Sequence, residues 1–138
     1  MAENVIKVTA EVSNLPVITE FVEKQLERTN CSMKTITELE LITEEIFTNI
    51  SNYAYSPEIG MAEIKVNISD ENPEIVLSFE DFGRKFNPLE KSDPDTGLSL
   101  EEREIGGLGI FLVKKYSDNV TYKYEDNRNI LIIRKRLN

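Results

Sequence analysis

At 138 residues, the chain has the size of a single domain, and one domain spanning residues 1–138 is the simplest expectation. Its 25 acidic and 16 basic side chains give a formal net charge of −9, which disfavours nucleic acid and anionic membranes as partners. The chain has no histidine, which excludes a Ser-His-Asp triad and a His-ligated zinc. It has one cysteine and an N-terminus without a long apolar run, and we therefore expect a cytoplasmic protein without a membrane segment.

The first half of the chain contains one predicted strand and two predicted helices. Residues 4–10 alternate between apolar and polar side chains, which indicates a strand. Residues 15–29 carry apolar side chains at helical spacing, with Asn14 as the expected cap and Pro16 in the first turn. Residues 35–54 show the same spacing more strongly, and a Ser-Pro pair ends this second helix.

The second half of the chain predicts four strands and a third helix. The predicted strands cover residues 61–69, 74–80, 120–124 and 129–136. The third helix begins at Gly106 and extends to about residue 117. The polar segment 87–105 is longer than an ordinary connection, which indicates a functional lid or a disordered loop. This order favours an α+β fold with a mixed, mostly antiparallel sheet and helices on one face.

Three polar side chains share one face of the second helix. Glu45, Asn49 and Asn52 fall within an arc of about 60° at α-helical spacing, at the edge of the apolar stripe. A carboxylate there can accept a proton, and an amide oxygen can bind a hard cation such as Mg²⁺. Glu44 points away from this arc. Taken alone, the arc also fits ordinary surface residues of an amphipathic helix.

A second motif follows the predicted strand 74–80. Asp81, Phe82 and Gly83 come directly after it, and Phe86 and Pro88 lie close behind. A carboxylate at a strand end can accept a hydrogen bond from an exocyclic amine, and glycine allows the backbone to pass close to a planar base. The alternative for this motif is a plain turn.

A glycine-rich loop, Gly106-Gly107-Leu108-Gly109, leads into the third helix. Its backbone N–H groups and the positive end of the helix dipole favour phosphate. The loop is not a Walker motif, since no Gly-Lys-Ser/Thr follows, and Leu112 replaces the third glycine of a dinucleotide-binding motif. The alternative is a tight entry into a helix.

In order and spacing, the three motifs resemble those of the gyrase, heat-shock-protein, histidine-kinase and mismatch-repair ATPase superfamily. The closest resemblance is to its branch of bacterial anti-sigma factor serine/threonine-protein kinases. Glu45 with Asn49 resembles the family's N-box, Asp81-x-Gly83 its first glycine box, and residues 106–109 its second. The resemblance covers nearly the whole chain and implies a two-layer α/β sandwich of the histidine-kinase-like ATPase (Bergerat) type.

The resemblance also implies roles for these residues. Asn49 would bind the Mg²⁺ that bridges the phosphates of ATP, with Asn52 and Phe86 also in the nucleotide site. Asp81 would accept a hydrogen bond from the adenine amino group. Gly83 would let the base lie close to the backbone. The loop of Gly106, Gly107, Leu108 and Gly109, with the lid at residues 87–105, would close over the phosphates, and Glu45 would be the general base.

The same resemblance implies protein partners. In the family, the accepting hydroxyl belongs to a serine of an anti-sigma antagonist protein, and the same surface region can bind a sigma factor. The resemblance further suggests a homodimer. No direct contact with nucleic acid or a membrane is expected.

Two positions depart from the family pattern. Tyr53 replaces a common histidine, and Leu108-Gly109-Ile110 replaces a version of the second glycine box that contains an arginine. The loss of that arginine removes a phosphate contact, so nucleotide binding is expected while the catalytic rate is left open. Three hypotheses follow: a serine protein kinase that also acts as an anti-sigma factor, a nucleotide-gated interaction module with little or no kinase activity, and a structural domain with no nucleotide affinity.

Overall fold

The computed structural model describes residues 4–55, 58–90 and 107–137, and within them five strands form one antiparallel sheet. The strand order is β1-β2-β3-β5-β4. The strands are Asn4–Thr9 (β1), Met61–Ser69 (β2), Glu74–Asp81 (β3), Asn119–Glu125 (β4) and Arg128–Arg136 (β5). The α-helices are Leu15–Leu26 (α1), Met33–Asn49 (α2) and Gly107–Tyr116 (α3).

The core lies between one face of the sheet and the helices. Alternate residues of β2 and β3 are buried because successive side chains of a strand point to opposite faces of the sheet. They join the apolar stripes of the helices in one cluster, whose fully buried members include Ile18, Leu39, Ile42, Phe47, Ile64, Ile75, Leu77, Phe79 and Ile133. The predicted α+β class, with helices on one face of the sheet, is confirmed. The described sheet is antiparallel in every strand pair, so the expectation of a mixed sheet is wrong.

The ends of the first two helices differ from the sequence-based expectation. α1 ends at Leu26, earlier than residue 29. Asn14 stands at the N-cap position, but its side chain donates to the carbonyl and hydroxyl oxygens of Thr9, at 2.9 and 2.8 Å. The predicted cap position is therefore right, but Asn14 makes no side-chain capping bond, because its amide nitrogen bonds the end of β1 instead. α2 begins with a true cap, in which Ser32 Oγ accepts from the N–H of Thr35 at 3.1 Å.

A π-helical turn, Ile50–Ala54, continues α2 beyond Asn49. A π-helix pairs each residue with the fifth one along, so its side chains do not keep α-helical spacing. Such turns are rare and are frequent at functional sites. This turn borders the cavity described below, and it changes the direction of residues that the sequence predicts on one α-helical face.

The β4-β5 hairpin closes the sheet. Its two turn residues, Asp126 and Asn127, have φ angles of 52° and 63°, which Asp and Asn adopt more readily than other non-glycine residues. The predicted hairpin is confirmed. Its register places Asn129 of β5 opposite Asp81, the last residue of β3. Within the described residues, no helix has the length and apolar character needed to cross a membrane.

Candidate functional site

A cavity of about 370 Å³ lies between the end of α2 with its π-helical turn, the end of β3, the start of β5 and the start of α3. This volume lies within the usual range for small-molecule sites. Its apolar walls are formed by Ile46, Ile50, Ala54, Phe79, Ile110 and Leu131. Its other lining residues are Asn49, Tyr53, Asp81, Arg84, Lys85, Phe86, Pro88, Tyr122 and Asn129. The arrangement suits a flat apolar ligand that also carries polar and anionic groups.

Asp81 is the carboxylate of the cavity. It is 6% exposed, and its Oδ1 accepts from the N–H of Gly83 at 2.9 Å and from Nδ2 of Asn129 at 3.0 Å. Burial raises the pKa of Asp81, and the two hydrogen bonds oppose that rise because they favour the charged form. No described residue bonds Oδ2. The second oxygen is therefore available as an acceptor for a ligand.

The loop after β3 packs tightly on the π-helical turn. The N–H of Arg84 donates to the carbonyl of Ala54 at 3.0 Å, and the guanidinium of Arg84 donates to the carbonyl of Tyr53 at the same distance. Gly83 makes this approach possible, because a Cβ there would lie 2.2 Å from the Ala54 oxygen. The requirement for glycine is therefore steric and comes from the neighbouring backbone.

Tyr55 joins the same loop to the sheet. Its hydroxyl donates to the carbonyl of Met61 and accepts from the N–H of Phe82, each at 2.6 Å. Gly60 leaves room for the ring, since a Cβ there would lie 2.2 Å from it. Desolvation raises the pKa of Tyr55, so the hydroxyl keeps its proton and can serve both partners.

The predicted site residues of α2 fall into two groups. Asn49 lines the cavity, whereas Glu45 lies one helical turn earlier, half-buried and outside the cavity lining. Burial raises the pKa of Glu45, and the charge of Glu44 adds to the rise. Asn52 lies in the π-helical turn, is exposed and does not line the cavity. The changed turn geometry explains why α-helical spacing does not group Asn52 with Asn49.

The other predicted residues lie in or next to the two glycine boxes. Phe86 lines the cavity beside Asp81, and Gly83 shapes the loop without lining it. Gly107, Leu108 and Gly109 form the first turn of α3, directly before Ile110 of the cavity wall. Gly106 and the lid residues from 91 onward lie outside the described residues.

The histidine kinase-like ATPase domain family matches residues 8–135 of the chain. The chain belongs to this family. A curated relative, the serine-protein kinase RsbW of Staphylococcus epidermidis, is 31% identical over 114 residues, which cover 78% of this chain and 70% of the relative. The serine/threonine-protein kinase BtrW of Bordetella bronchiseptica is 26% identical over 95 residues, which cover 69% of this chain and 66% of the relative. The resemblance inferred from the three motifs is confirmed.

A solved structure of the family fold agrees with this assignment. The RsbU and RsbW domains of Rv1364c from Mycobacterium tuberculosis match 99% of this chain with a TM-score of 0.70, at 10% sequence identity and over 33% of that chain. At this identity, the likeness shows the fold. The chain spans 66% of the BtrW relative and a third of this larger solved chain, so the activities of the whole relatives are not transferred by the match.

The sequence patterns did not predict several polar side chains of the cavity, among them Arg84, Lys85, Tyr122 and Asn129. Asn129 and Tyr122 line the cavity and are joined by a hydrogen bond of 2.6 Å from the tyrosine hydroxyl to Asn129 Oδ1. Both lie on the C-terminal hairpin, after the last of the three motifs. No local spacing signals them, because their position depends on the pairing of β5 with β3.

Proposed function

We propose that this domain binds Mg-ATP in the cavity and transfers the terminal phosphoryl group to a serine of a partner protein. The observation that carries the proposal is Asp81, a buried carboxylate with one oxygen fixed by Gly83 and Asn129 and the other without a partner among the described residues. An acceptor at the end of an apolar cavity suits the exocyclic amine of adenine. The curated relatives named above are serine-protein kinases, which supports the reaction class.

The residues of the cavity fit magnesium when the phosphates share its coordination. The described residues contain no group of three or more acidic, cysteine or histidine side chains that could bind a metal ion. Mg²⁺ commonly retains several waters and is bound through few protein ligands together with substrate phosphates. The side-chain oxygen of Asn49 is the protein ligand that we assign. The ion would neutralise charge on the phosphates.

The remaining chemistry is assigned to side chains of the chain itself. Glu45 accepts the proton of the incoming serine hydroxyl while the new oxygen–phosphorus bond forms and ADP leaves. Its raised pKa, caused by burial and then by Glu44, brings the carboxylate nearer to neutral pH and makes it a stronger base. Arg84 and Lys85 line the same cavity and supply positive charge in a protein of net charge −9. Phosphoryl transfer depends mainly on such positioning and charge.

The accepting serine belongs to a second protein. We assign the accepting serine to an anti-sigma antagonist protein, with a sigma factor as a second partner held without chemistry, and a homodimer as the assembly. The test is mass spectrometry of a candidate antagonist incubated with the domain and ATP. Its serine-to-alanine variant is the control. Phosphate on the serine of the antagonist, and none on the alanine variant, supports the kinase reaction. An antagonist that stays unmodified although the domain is shown to bind ATP contradicts it.

Nucleotide binding is tested first by thermal unfolding with and without Mg-ATP. At about 100 times the dissociation constant, a ligand stabilises by roughly 2.7 kcal/mol, which raises the midpoint of this size of domain by about 5 to 10 °C. Asn49→Ala is expected to abolish the magnesium-dependent part of the rise. Asn119→Ala, at an exposed position of β4, is the matched control. No rise in the wild-type chain would contradict the proposed function.

A nucleotide-gated interaction module is the second candidate, favoured by the position of Glu45 outside the cavity lining. Glu45→Gln separates the two. A kinase loses turnover and retains ATP affinity, because the proton acceptor is absent while the binding residues remain. A pure binding module shows the same affinity and the same absence of phosphoryl transfer before and after the substitution.

A further inference from the structure

Asn129 is a buried amide that bonds Asp81 and has no further role in the chemistry assigned above. It is the second residue of β5, it is 7% exposed, and the sheet register places it opposite Asp81. A buried polar side chain is costly unless its hydrogen bonds are satisfied. The partners of Asn129 therefore indicate what the residue does.

Every hydrogen-bonding position of the Asn129 amide is occupied. Nδ2 donates to Asp81 Oδ1 at 3.0 Å and to the carbonyl of Arg84 at 2.8 Å, with a longer contact of 3.4 Å to the carbonyl of Gly83. Oδ1 accepts from the N–H of Phe86 at 3.0 Å and from the hydroxyl of Tyr122 at 2.6 Å. Two donors and two acceptor sites are all that an asparagine amide offers.

These contacts fix the orientation of the amide. A flipped side chain would place its NH₂ group against the N–H of Phe86 and its oxygen against the carbonyl of Arg84, so both contacts would be repulsive. No hydrogen bond is left for a ligand. Asn129 therefore acts on a ligand through its neighbours, as a positioning residue.

The neighbours that it holds are the acceptor of the site and the loop beside it. The bond from Asn129 and the bond from Gly83 occupy Oδ1 of Asp81, so that only Oδ2 is available to a ligand. The bonds to Arg84 and Phe86 fix the backbone of the loop along the cavity wall. One amide thus sets both the direction of the acceptor and the position of the loop.

We propose that Asn129 makes the site selective for a 6-aminopurine over a 6-oxopurine by holding Asp81 with a single oxygen as acceptor. This proposal rests on the proposed function. The 6-amino group of adenine donates to Oδ2, whereas the 6-oxo group of guanine would set an acceptor against a carboxylate. A site built to bond one polar group rejects the analogue that lacks it, because the buried partner is left unsatisfied.

Selectivity then depends on the charge state of Asp81. A protonated Asp81 can present an O–H and donate to a 6-oxo group, which removes the discrimination. The ionisable groups near Asp81 are Tyr55, Tyr122 and the cavity residues Arg84 and Lys85. Glu80 points to the other face of the sheet, where Lys65 and Arg128 pair with it. The hydrogen bond from the Asn129 side chain lowers the pKa of Asp81 and so favours its charged form.

The test is calorimetric binding of non-hydrolysable ATP and GTP analogues across pH 5 to 8, on the whole chain. Asn129→Leu is nearly isosteric and removes every hydrogen bond of the amide. We expect the ratio of the GTP dissociation constant to the ATP dissociation constant to be at least about tenfold lower in this variant than in the wild type. A change of this size corresponds to the loss of one hydrogen bond to a charged group. We also expect the loss of ATP affinity on acidification to occur at higher pH, because Asp81 loses a bond that favours its charged form.

Two further variants make each outcome decisive. Tyr122→Phe removes one hydroxyl and retains Asn129, so a smaller change in the same direction is expected, and it decides the question if Asn129→Leu does not fold. Asn119→Leu on the exposed part of β4 is the matched control. An equal loss of affinity for both nucleotides, with no change in the pH at which ATP affinity is lost, would show that Asn129 has a purely structural role and would overturn the inference. A wild-type chain that binds neither nucleotide would overturn the proposed function, and this inference with it.

Discussion

The backbone of Gly83 lies against the carbonyl of Ala54, so closely that a Cβ at position 83 would stand 2.2 Å from that oxygen. The contact joins the loop after β3 to the π-helical turn after α2, and both segments line the cavity. The shape of the cavity therefore depends on one backbone approach that only glycine permits.

Gly83→Ala is expected to destabilise the domain by about 1–3 kcal/mol, the usual cost of forcing extra atoms into a packed site. The carbonyl carbon of Ala54 would also lie only 2.6 Å from the new methyl group, so the backbone of the turn must move. Urea unfolding measures the cost. Ser13→Ala, at an exposed position, is the control, and equal midpoints for both variants would show that the contact is not constraining.

Asp81→Asn is expected to stabilise the domain while abolishing ATP binding. Burial raises the pKa of Asp81 in the folded chain, so the ionised form opposes folding. The stability that this group contributes is present at low pH, below its unfolded pKa, and is lost as the pH rises through its folded pKa. The neutral amide avoids that loss, but it presents a donor where the ligand needs an acceptor.

The measurement for Asp81→Asn is thermal unfolding at neutral and at acidic pH. The midpoint should exceed that of the wild type at neutral pH and converge with it in acid. Asp70→Asn, in the exposed turn between β2 and β3, is the matched control. A variant that is less stable than wild type at neutral pH would mean that the bonds from Gly83 and Asn129 outweigh the cost of burial.

Tyr55→Phe is expected to loosen the same loop from the other side. The substitution removes the hydroxyl that joins the carbonyl of Met61 to the N–H of Phe82, and two such bonds contribute about 0.5–1.5 kcal/mol each. Chemical denaturation should show this loss, and ATP affinity should fall because Phe82 follows Asp81 directly. Tyr124→Phe, which retains an exposed ring on β4, should leave both quantities unchanged.

Features of the site that arise from residues close in sequence could be predicted, whereas features that arise from pairing of distant segments could not. Period-two and helical spacing are local signals, and they locate all five strands and three helices of the described chain. Asp81 could be predicted because a carboxylate at a strand end precedes a glycine. Asn129 could not, since its role arises from the register of β5 on β3, across 48 residues of chain. The π-helical turn is equally invisible to spacing rules, and it explains the exposed position of Asn52.

Two carboxyl groups meet where α1 packs on α2, away from the cavity. The pKa of Glu40 on α2 is raised by burial and then by the neighbouring carboxyl group of Glu23 on α1. The stabilising effect of this raised pKa is present in acid, below the unfolded pKa of Glu40, and is lost as the pH rises through its folded pKa. Glu40→Gln is therefore expected to raise the unfolding midpoint slightly at pH 7 and not at acidic pH. Differential scanning calorimetry at both values tests this, with the exposed Glu27→Gln as control, and a larger gain in acid would contradict the sign of the coupling.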